Sequence, residues 1–469
     1  MTRLSLPDAL FLAFETPTPP MHAGALMLFD PPAGESAGDF AARVVAEFRR
    51  TQPVAPFNRR AELQLGRLPH WVTVDTVDLN HHVRHIALPG SATPEQLMEL
   101  VGHLYVALLD RSQPLWECYV IEGLQGGTVA VFYKLHHALA DGISGARMLI
   151  GSLSTSKARR TITPLWGARK PARRSSSTAG TRDERDRLQQ LLTPAQTIAG
   201  AARRIVEVVP QIVGLRQGAR ALPFSAPRLG AHARAQSPSR SFTFFDLPLP
   251  EVRDVAKHAA GTVNDVVLSV CDDAMRRYLT EHDEKVTRPL VASMAVSTRA
   301  QGDDTPSNAA ALAQVRLGAP EATPRQRLAQ VIAATAAVKA DVRRSSKGAL
   351  ELESVAFVGG AQLREQLPIG RRIVPPAATM VVSNIPGGPA KPLYLGSARM
   401  TGAYTVPILP PSHLVNFTLV SYVDRLCFGV GAARNVIPDT ARIAELARQS
   451  FAELATTAVP HDGGERLTP

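Results

Sequence analysis

The chain has 469 residues, 45% hydrophobic and 20% charged, enough to bury the cores of two or three domains. Its three cysteines, Cys118, Cys271 and Cys427, lie far apart, which excludes a disulfide framework and a zinc ribbon and fits buried cytosolic thiols. The formal charge of +11 favours phosphate-bearing partners, but at 5% aromatics base stacking has little support, so nucleic acid is not expected.

The opening Met1-Thr-Arg-Leu-Ser-Leu-Pro-Asp lacks the charged head and apolar stretch of a signal peptide. No run of about 18 apolar residues occurs, so any membrane contact is expected to be peripheral. Pro7-Asp8 before an apolar run predicts a first helix, residues 23–30 a buried strand and 39–49 an amphipathic helix. Trp71 to Val77 alternates as a strand, and Pro94 to Leu109 carries helical spacing. Residues 116–121 and 128–135 read as a β-hairpin, because the intervening glycines permit positive φ. A helix from Ile143 to Leu153 follows.

Residues 156 to about 190 are rich in Ser, Thr, Arg, Pro and Gly and read as a linker or loop. Thr193-Pro194 then caps a helix to about Val209 whose apolar positions oppose Arg203 and Arg204. That pattern is more often a surface helix packed on its own protein with a solvated basic face, and it also suits a helix lying on a membrane. From 240 a second unit begins: a strand at 240–247, a helix at 250–259, and a capping-box pattern at Thr262 to Asp265 ahead of a helix to about Leu279. Strand-like runs at 289–298, 312–317, 378–384, 413–422 and 425–431 follow, with a helix at 323–341 among them. The reading is therefore an α/β (α+β) chain in three parts: 1–155, a basic linker 156–239, and 240–469.

Chemistry concentrates in His136-His-Ala-Leu-Ala-Asp141-Gly142, between the second hairpin strand and a helix. Free imidazole titrates near 6.5, so a histidine here is a base at neutral pH. Neighbours on a strand point to opposite sides, so one histidine faces a cavity and the other packs beneath it. Asp141 is placed to pin the turn or pair with an arginine, and Asp-Gly is also a common turn and helix cap. Gly142 permits a sharp bend or close approach of substrate. His81, His82 and His85 form a second cluster, but no third ligand at zinc spacing completes it, so no metal is expected.

His136-His-Ala-Leu-Ala-Asp-Gly142 is similar to the HHxxxDG signature of coenzyme-A-dependent acyltransferases. Leu4-Ser-Leu-Pro-Asp-Ala-Leu-Phe, Glu15-Thr-Pro-Thr-Pro-Pro-Met-His22, Pro114-Leu-Trp116-Glu117, Thr262-Val-Asn-Asp265 and Ser383-Asn-Ile-Pro-Gly-Gly388 narrow the resemblance to the bacterial wax ester synthase/acyl-CoA:diacylglycerol acyltransferase family. It implies two chloramphenicol-acetyltransferase-like domains around a central substrate tunnel. His137 would be the general base, supported by His136, with Asp141 architectural and Arg299 its candidate partner. Asn264 and Asp265 match the family's Asn-Asp motif, with a helix N-terminus as the equal alternative. Ser383 and Asn384 are candidate oxyanion donors, or simply turn formers. The resemblance implies acyl-CoA as co-substrate with no bound cofactor, and diacylglycerol or a fatty alcohol as acceptor. An anionic membrane surface or lipid inclusion inside the cytoplasm is the implied location. The rival readings are a superfamily enzyme esterifying a polyketide-type alcohol from a carrier protein, and a non-catalytic lipid-droplet-binding protein.

Overall fold

The computed structural model describes residues 2–4, 6–62, 69–140, 142–167, 221, 223–297, 310–345 and 347–458. The first part of the chain runs β1 (Thr2–Arg3), α1 (Leu6–Phe14), β2 (His22–Asp30), α2 (Ala37–Arg50), β3 (Arg59–Glu62), β4 (His70–Thr73), α3 (Leu79–His82), β5 (Val83–Ala92), α4 (Pro94–Val106), β6 (Trp116–Leu124), β7 (Val129–His136) and α5 (Gly142–Ser152). The second runs α6 (Gly230–Ala233), β8 (Arg240–Pro248), α7 (Leu249–His258), α8 (Val263–Glu281), β9 (Val291–Ser297), β10 (Ala310–Arg316) and α9 (Pro324–Arg344). It continues through α10 (Lys347–Gln366), α11 (Pro368–Ile373), β11 (Met380–Ile385), β12 (Tyr394–Leu395), β13 (Ala398–Val406), β14 (Val415–Tyr422), β15 (Arg425–Ala433) and α12 (Thr440–Ala458).

Two six-stranded sheets form the frame, ordered β12-β13-β2-β7-β6-β5 and β10-β9-β11-β14-β15-β8. Each has its own apolar core, one around Val44, Val101 and Phe132, the other around Leu268, Val331 and Phe417. The expected hairpin forms, with Gly126 and Gly127 at positive φ in its loop. The expected strand 71–77 ends at Thr73, and the helix from Pro94 ends at Val106.

The halves are not self-contained. β13 leaves the second half and pairs antiparallel with β2, its Val406 opposite Gly24. The two sheets then meet face to face where β13 crosses β15. A Cβ on Gly429 would lie 1.8 Å from the Thr405 carbonyl oxygen, so only glycine admits this approach. Phe244 of β8 stacks on Tyr404 at 4.2 Å and extends the same junction.

The described ends of the expected linker are packed rather than free. Ile162, Leu165 and Trp166 are buried; Trp166 stacks on Trp116 at 4.6 Å and donates its indole N–H to the Thr51 carbonyl at 2.8 Å. Burying such side chains is worth about 1.5–3 kcal/mol each, which overrides the loop-like Ser, Thr and Pro composition around them. At the other end Phe224 packs with Phe357 and Ala361. The helix expected at 193–209 lies outside the described residues.

Candidate active site

β7, an inner strand of the first sheet, carries the double histidine at its C-terminal end. Its last residue, His136, stands opposite His22 of β2 and is fully buried, whereas His137 is half-buried. His137 is the first residue of the turn after β7, so the turn rather than strand alternation separates the two rings. The chain turns at once: the Leu139 amide donates to the His136 carbonyl at 2.9 Å, and the His137 amide donates to the Met21 carbonyl at 2.9 Å. The His137 ring stacks on Phe11 of α1, centroids 4.3 Å apart. Its position is therefore fixed from both sides, by the backbone of the loop before β2 and by the aromatic face of α1.

Beneath it lies a buried polar cluster. The Ala138 amide donates to His136 Nδ1 at 3.1 Å, which leaves the ring proton on Nε2. That nitrogen faces Glu15 Oε1 at 3.5 Å. Glu15 also accepts from the Met21 amide at 3.2 Å and from Arg111 at 3.1 Å, and lies 3.8 Å from His22 Nδ1. Burial alone would raise the Glu15 pKa; the nearby imidazoles of His136 and His22 and the Met21 amide outweigh it and hold the carboxyl well below the usual carboxylate range. His22 is shifted the other way from an ordinary histidine, downward, by burial. Its Nε2 donates to the Tyr105 carbonyl, and the Tyr105 hydroxyl donates back to the His22 carbonyl at 2.7 Å.

Glu15 lies in the Glu15–His22 loop, and the sequence alone marks no role for it. The signal was a carboxylate beside Pro-Thr-Pro-Pro, between an apolar helix and a buried strand. Lys134, also fully buried, was likewise unassigned. Its ammonium donates to the Leu104 carbonyl at 3.0 Å and to the Ala107 carbonyl, and sits 3.4 Å from Glu117. It satisfies the orphan carbonyls at the end of α4, a structural use that occupies its donors.

The second unit reaches this site through β11. A Cβ on Gly142 would lie 3.5 Å from Ile385 Cδ1, so the end of β11 meets the start of α5. Ser383 and Asn384, both half-buried, precede Ile385 on that strand and pair with Thr418 and Leu419 of β14. The Cβ added at Gly142 would meet Ile385 only at ordinary contact distance. Asp141 and Arg299 lie outside the described residues, and with them the expected pairing between the two.

Asp265 takes the helix-terminus reading. Its Oδ2 accepts from the Thr262 amide at 2.8 Å and hydroxyl at 2.7 Å, and its Oδ1 accepts from Thr335 at 2.6 Å. Oδ2 caps α8, Oδ1 ties α8 to α9, and the carboxylate is buried. Asn264 beside it is half-buried. Trp116 of the Pro-Leu-Trp motif is a core residue, stacked on His82 at 4.3 Å and donating to the Phe57 carbonyl at 2.8 Å. Burial lowers His82 to about 4, so this histidine stays neutral. Among the described residues no group of three or more His, Cys, Asp and Glu is placed to hold a metal ion.

The two-sheet frame with a histidine pair at the end of a central strand defines a chloramphenicol-acetyltransferase-like class of protein. The first condensation domain of the CDA synthetase shares this fold over 99% of the chain and 98% of its own, with a TM-score of 0.60 at 17% identity. Similarity is greater to the wax ester synthase/diacylglycerol acyltransferase of Marinobacter aquaeolei VT8, with a TM-score of 0.74 and 30% identity over 97% of this chain and 100% of that one.

Two family models match in order, the wax ester synthase/diacylglycerol acyltransferase catalytic domain at residues 4–267 and the WS/DGAT C-terminal domain at 307–455. A Mycobacterium tuberculosis protein named "Probable diacyglycerol O-acyltransferase Tgs4" is 34% identical over 98% of this chain and 97% of its own. The O-acyltransferase WSD of Acinetobacter baylyi is 32% identical over 92% of each. The chain belongs to the wax ester synthase/diacylglycerol acyltransferase family.

Proposed function

We propose that this protein is an acyl-CoA-dependent O-acyltransferase that esterifies diacylglycerol, long-chain alcohols, or both, with His137 as general base. The observation that carries the assignment is the split between the two histidines: His137 half-buried against Phe11, His136 buried on Glu15. One ring is reachable by substrate and the other is built into the floor beneath it.

The acceptor hydroxyl gives its proton to the His137 imidazole as its oxygen attacks the thioester carbonyl carbon. The C–O bond forms, and the carbonyl electron pair moves onto oxygen as a tetrahedral oxyanion. Collapse restores the carbonyl and breaks the C–S bond. The departing thiolate takes the proton from the imidazolium, leaving ester and free CoA. A positioned base contributes about 10²–10⁴-fold to such a transfer. Ser383 and Asn384, delivered beside α5 by β11, are the candidate oxyanion donors, each worth on the order of 3 kcal/mol. Glu15 acts through His136: it holds the buried ring in one tautomer and orientation and so fixes the turn that presents His137. Asp141 is architectural in this reading and Arg299 its partner across the units, so Arg299→Ala with unchanged fold and activity overturns that pairing.

Acyl-CoA is the donor, and acceptors of this kind place the protein at an anionic membrane surface or lipid inclusion on the cytoplasmic side. No helix among the described residues is long and apolar enough to cross a membrane. The test is purified protein with palmitoyl-CoA and, in parallel, diacylglycerol and hexadecanol, with products separated by thin-layer chromatography. Triacylglycerol or hexadecyl palmitate, with free thiol released in equal amount, is the expected result. Turnover of an acyl-carrier-protein donor alone, or no ester from either acceptor, overturns it.

A further inference from the structure

Seven large apolar side chains are exposed among the described residues, and five of them fall in one short stretch: Leu363, Leu367, Ile369, Ile373 and Val374. The other two, Val54 and Leu108, are single positions of the kind any surface carries. A contiguous apolar run on a surface marks an interaction site.

The stretch is a corner between two helices rather than a loose loop. α10 is anchored by Phe357 and Ala361, which pack with Ala377 and Phe224. α11 folds back against its end: a Cβ on Gly370 would lie 2.9 Å from the Arg364 carbonyl oxygen. Ile369 and Ile373, spaced i and i+4, share the outer face of α11 and are each 62% exposed.

Positive charge surrounds them. Arg228 donates to the carbonyls of Arg372, at 3.0 Å, and of Ile373, and Arg371 donates to the Glu365 carbonyl at 2.6 Å. Bonds to carbonyls leave guanidinium charge uncancelled, and Arg372 is exposed beside them. The nearby carboxylate, Glu365, is paired with Arg364. Aliphatic side chains rimmed by arginine complement a boundary that is apolar within and anionic outside.

We propose that residues 363–374 dock the protein on an anionic phospholipid bilayer. Ile369 and Ile373 enter the headgroup–acyl boundary, and Arg228, Arg371 and Arg372 meet lipid phosphates. The proposal rests on the lipid-acceptor reading above and deepens it by naming the surface that faces the lipid. The chain leads from this corner directly into β11, whose far end meets α5 beside the His137 turn. A strand of that length spans about 20 Å, so one short segment of chain links the docking corner to the site.

Vesicle binding of the full chain, measured by co-sedimentation without substrate, tests this independently of catalysis. Wild type should bind phosphatidylglycerol-containing vesicles, weakly or not at all pure phosphatidylcholine, and less at high salt. Ile369→Ser/Ile373→Ser and Arg371→Gln/Arg372→Gln should each lower binding at least about tenfold. Both should keep wild-type melting temperature and turnover of detergent-dispersed hexadecanol. Failure of wild type to bind, or wild-type binding by both variants, overturns the proposal. So does binding that is retained in these variants and lost in Ile198→Ser/Ile205→Ser. A vesicle-free wild-type dimer that the isoleucine variant converts to monomer also overturns it, because a second copy then covers the face.

Discussion

At the end of β7 a buried carboxylate, Glu15, faces two histidines, while in the helical layer of the second unit a buried carboxylate, Asp272, faces two arginines. Asp272 lies 2.8 Å from Arg327 and 3.4 Å from Arg276, and accepts the Gly318 amide at 3.0 Å. Arginine does not give up its proton, so that cluster has no tautomer to fix and ties α8 to α9. Histidine has two nitrogens and a proton that can move, so the Glu15 cluster has a tautomer to fix. Both bury charge at a desolvation cost, but only the first adjoins a half-buried ring. One is a clamp; the other holds a base in place.

The sharpest way to break this contrast is at the ring itself. His137→Ala should lower ester formation by about 10²–10⁴-fold while the melting temperature stays within a few degrees of wild type, read by paired turnover and thermal-unfolding measurements. Asp272→Ala should do the reverse. It removes the buried carboxylate that Arg276 and Arg327 share and should cost about 3–5 kcal/mol of stability in denaturant titration, with turnover per folded molecule retained.

Acid separates the regions again. Burial lowers His82 to about 4, His413 to about 4 and His232 to about 3. In the unfolded chain these groups titrate near 6.5, so the stability they contribute is intact above that pH and is lost as pH falls toward the folded values. Equilibrium unfolding at pH 7 and pH 5 should differ by about 2 kcal/mol per histidine. His22 adds in the same direction. Smallest is Glu15→Gln, which keeps the shape and removes the charge under His136. Turnover should fall about tenfold, the equivalent of one hydrogen bond of about 1.4 kcal/mol.

The sequence displays the local half of this picture well. The hairpin glycines and the Thr262 capping box are properties of neighbouring residues, and each appears as read. What was hidden depends on distant pairing. β13 joins the first sheet through β2, whose residues lie far earlier in the chain, and no local pattern says which sheet a strand will enter. Trp166 looked like linker because the Ser, Thr and Pro around it are polar, yet its ring seals the core against Trp116. Asp265 caps its own helix with one oxygen, and with the other it binds Thr335 of α9, a partner that only the fold brings to it. Glu15 was in plain view, but its meaning lies in Arg111, His22 and His136, which only the folded sheet brings to it.

The central claim is that Glu15 and His136 serve catalysis through His137 rather than through stability alone. A double-variant cycle tests it directly. Initial rates of CoA release from palmitoyl-CoA with hexadecanol would be measured for wild type, Glu15→Gln, His137→Ala and the combined variant. The account predicts that Glu15→Gln costs about tenfold in wild type and almost nothing once His137 is alanine. The same factor in both backgrounds would contradict it.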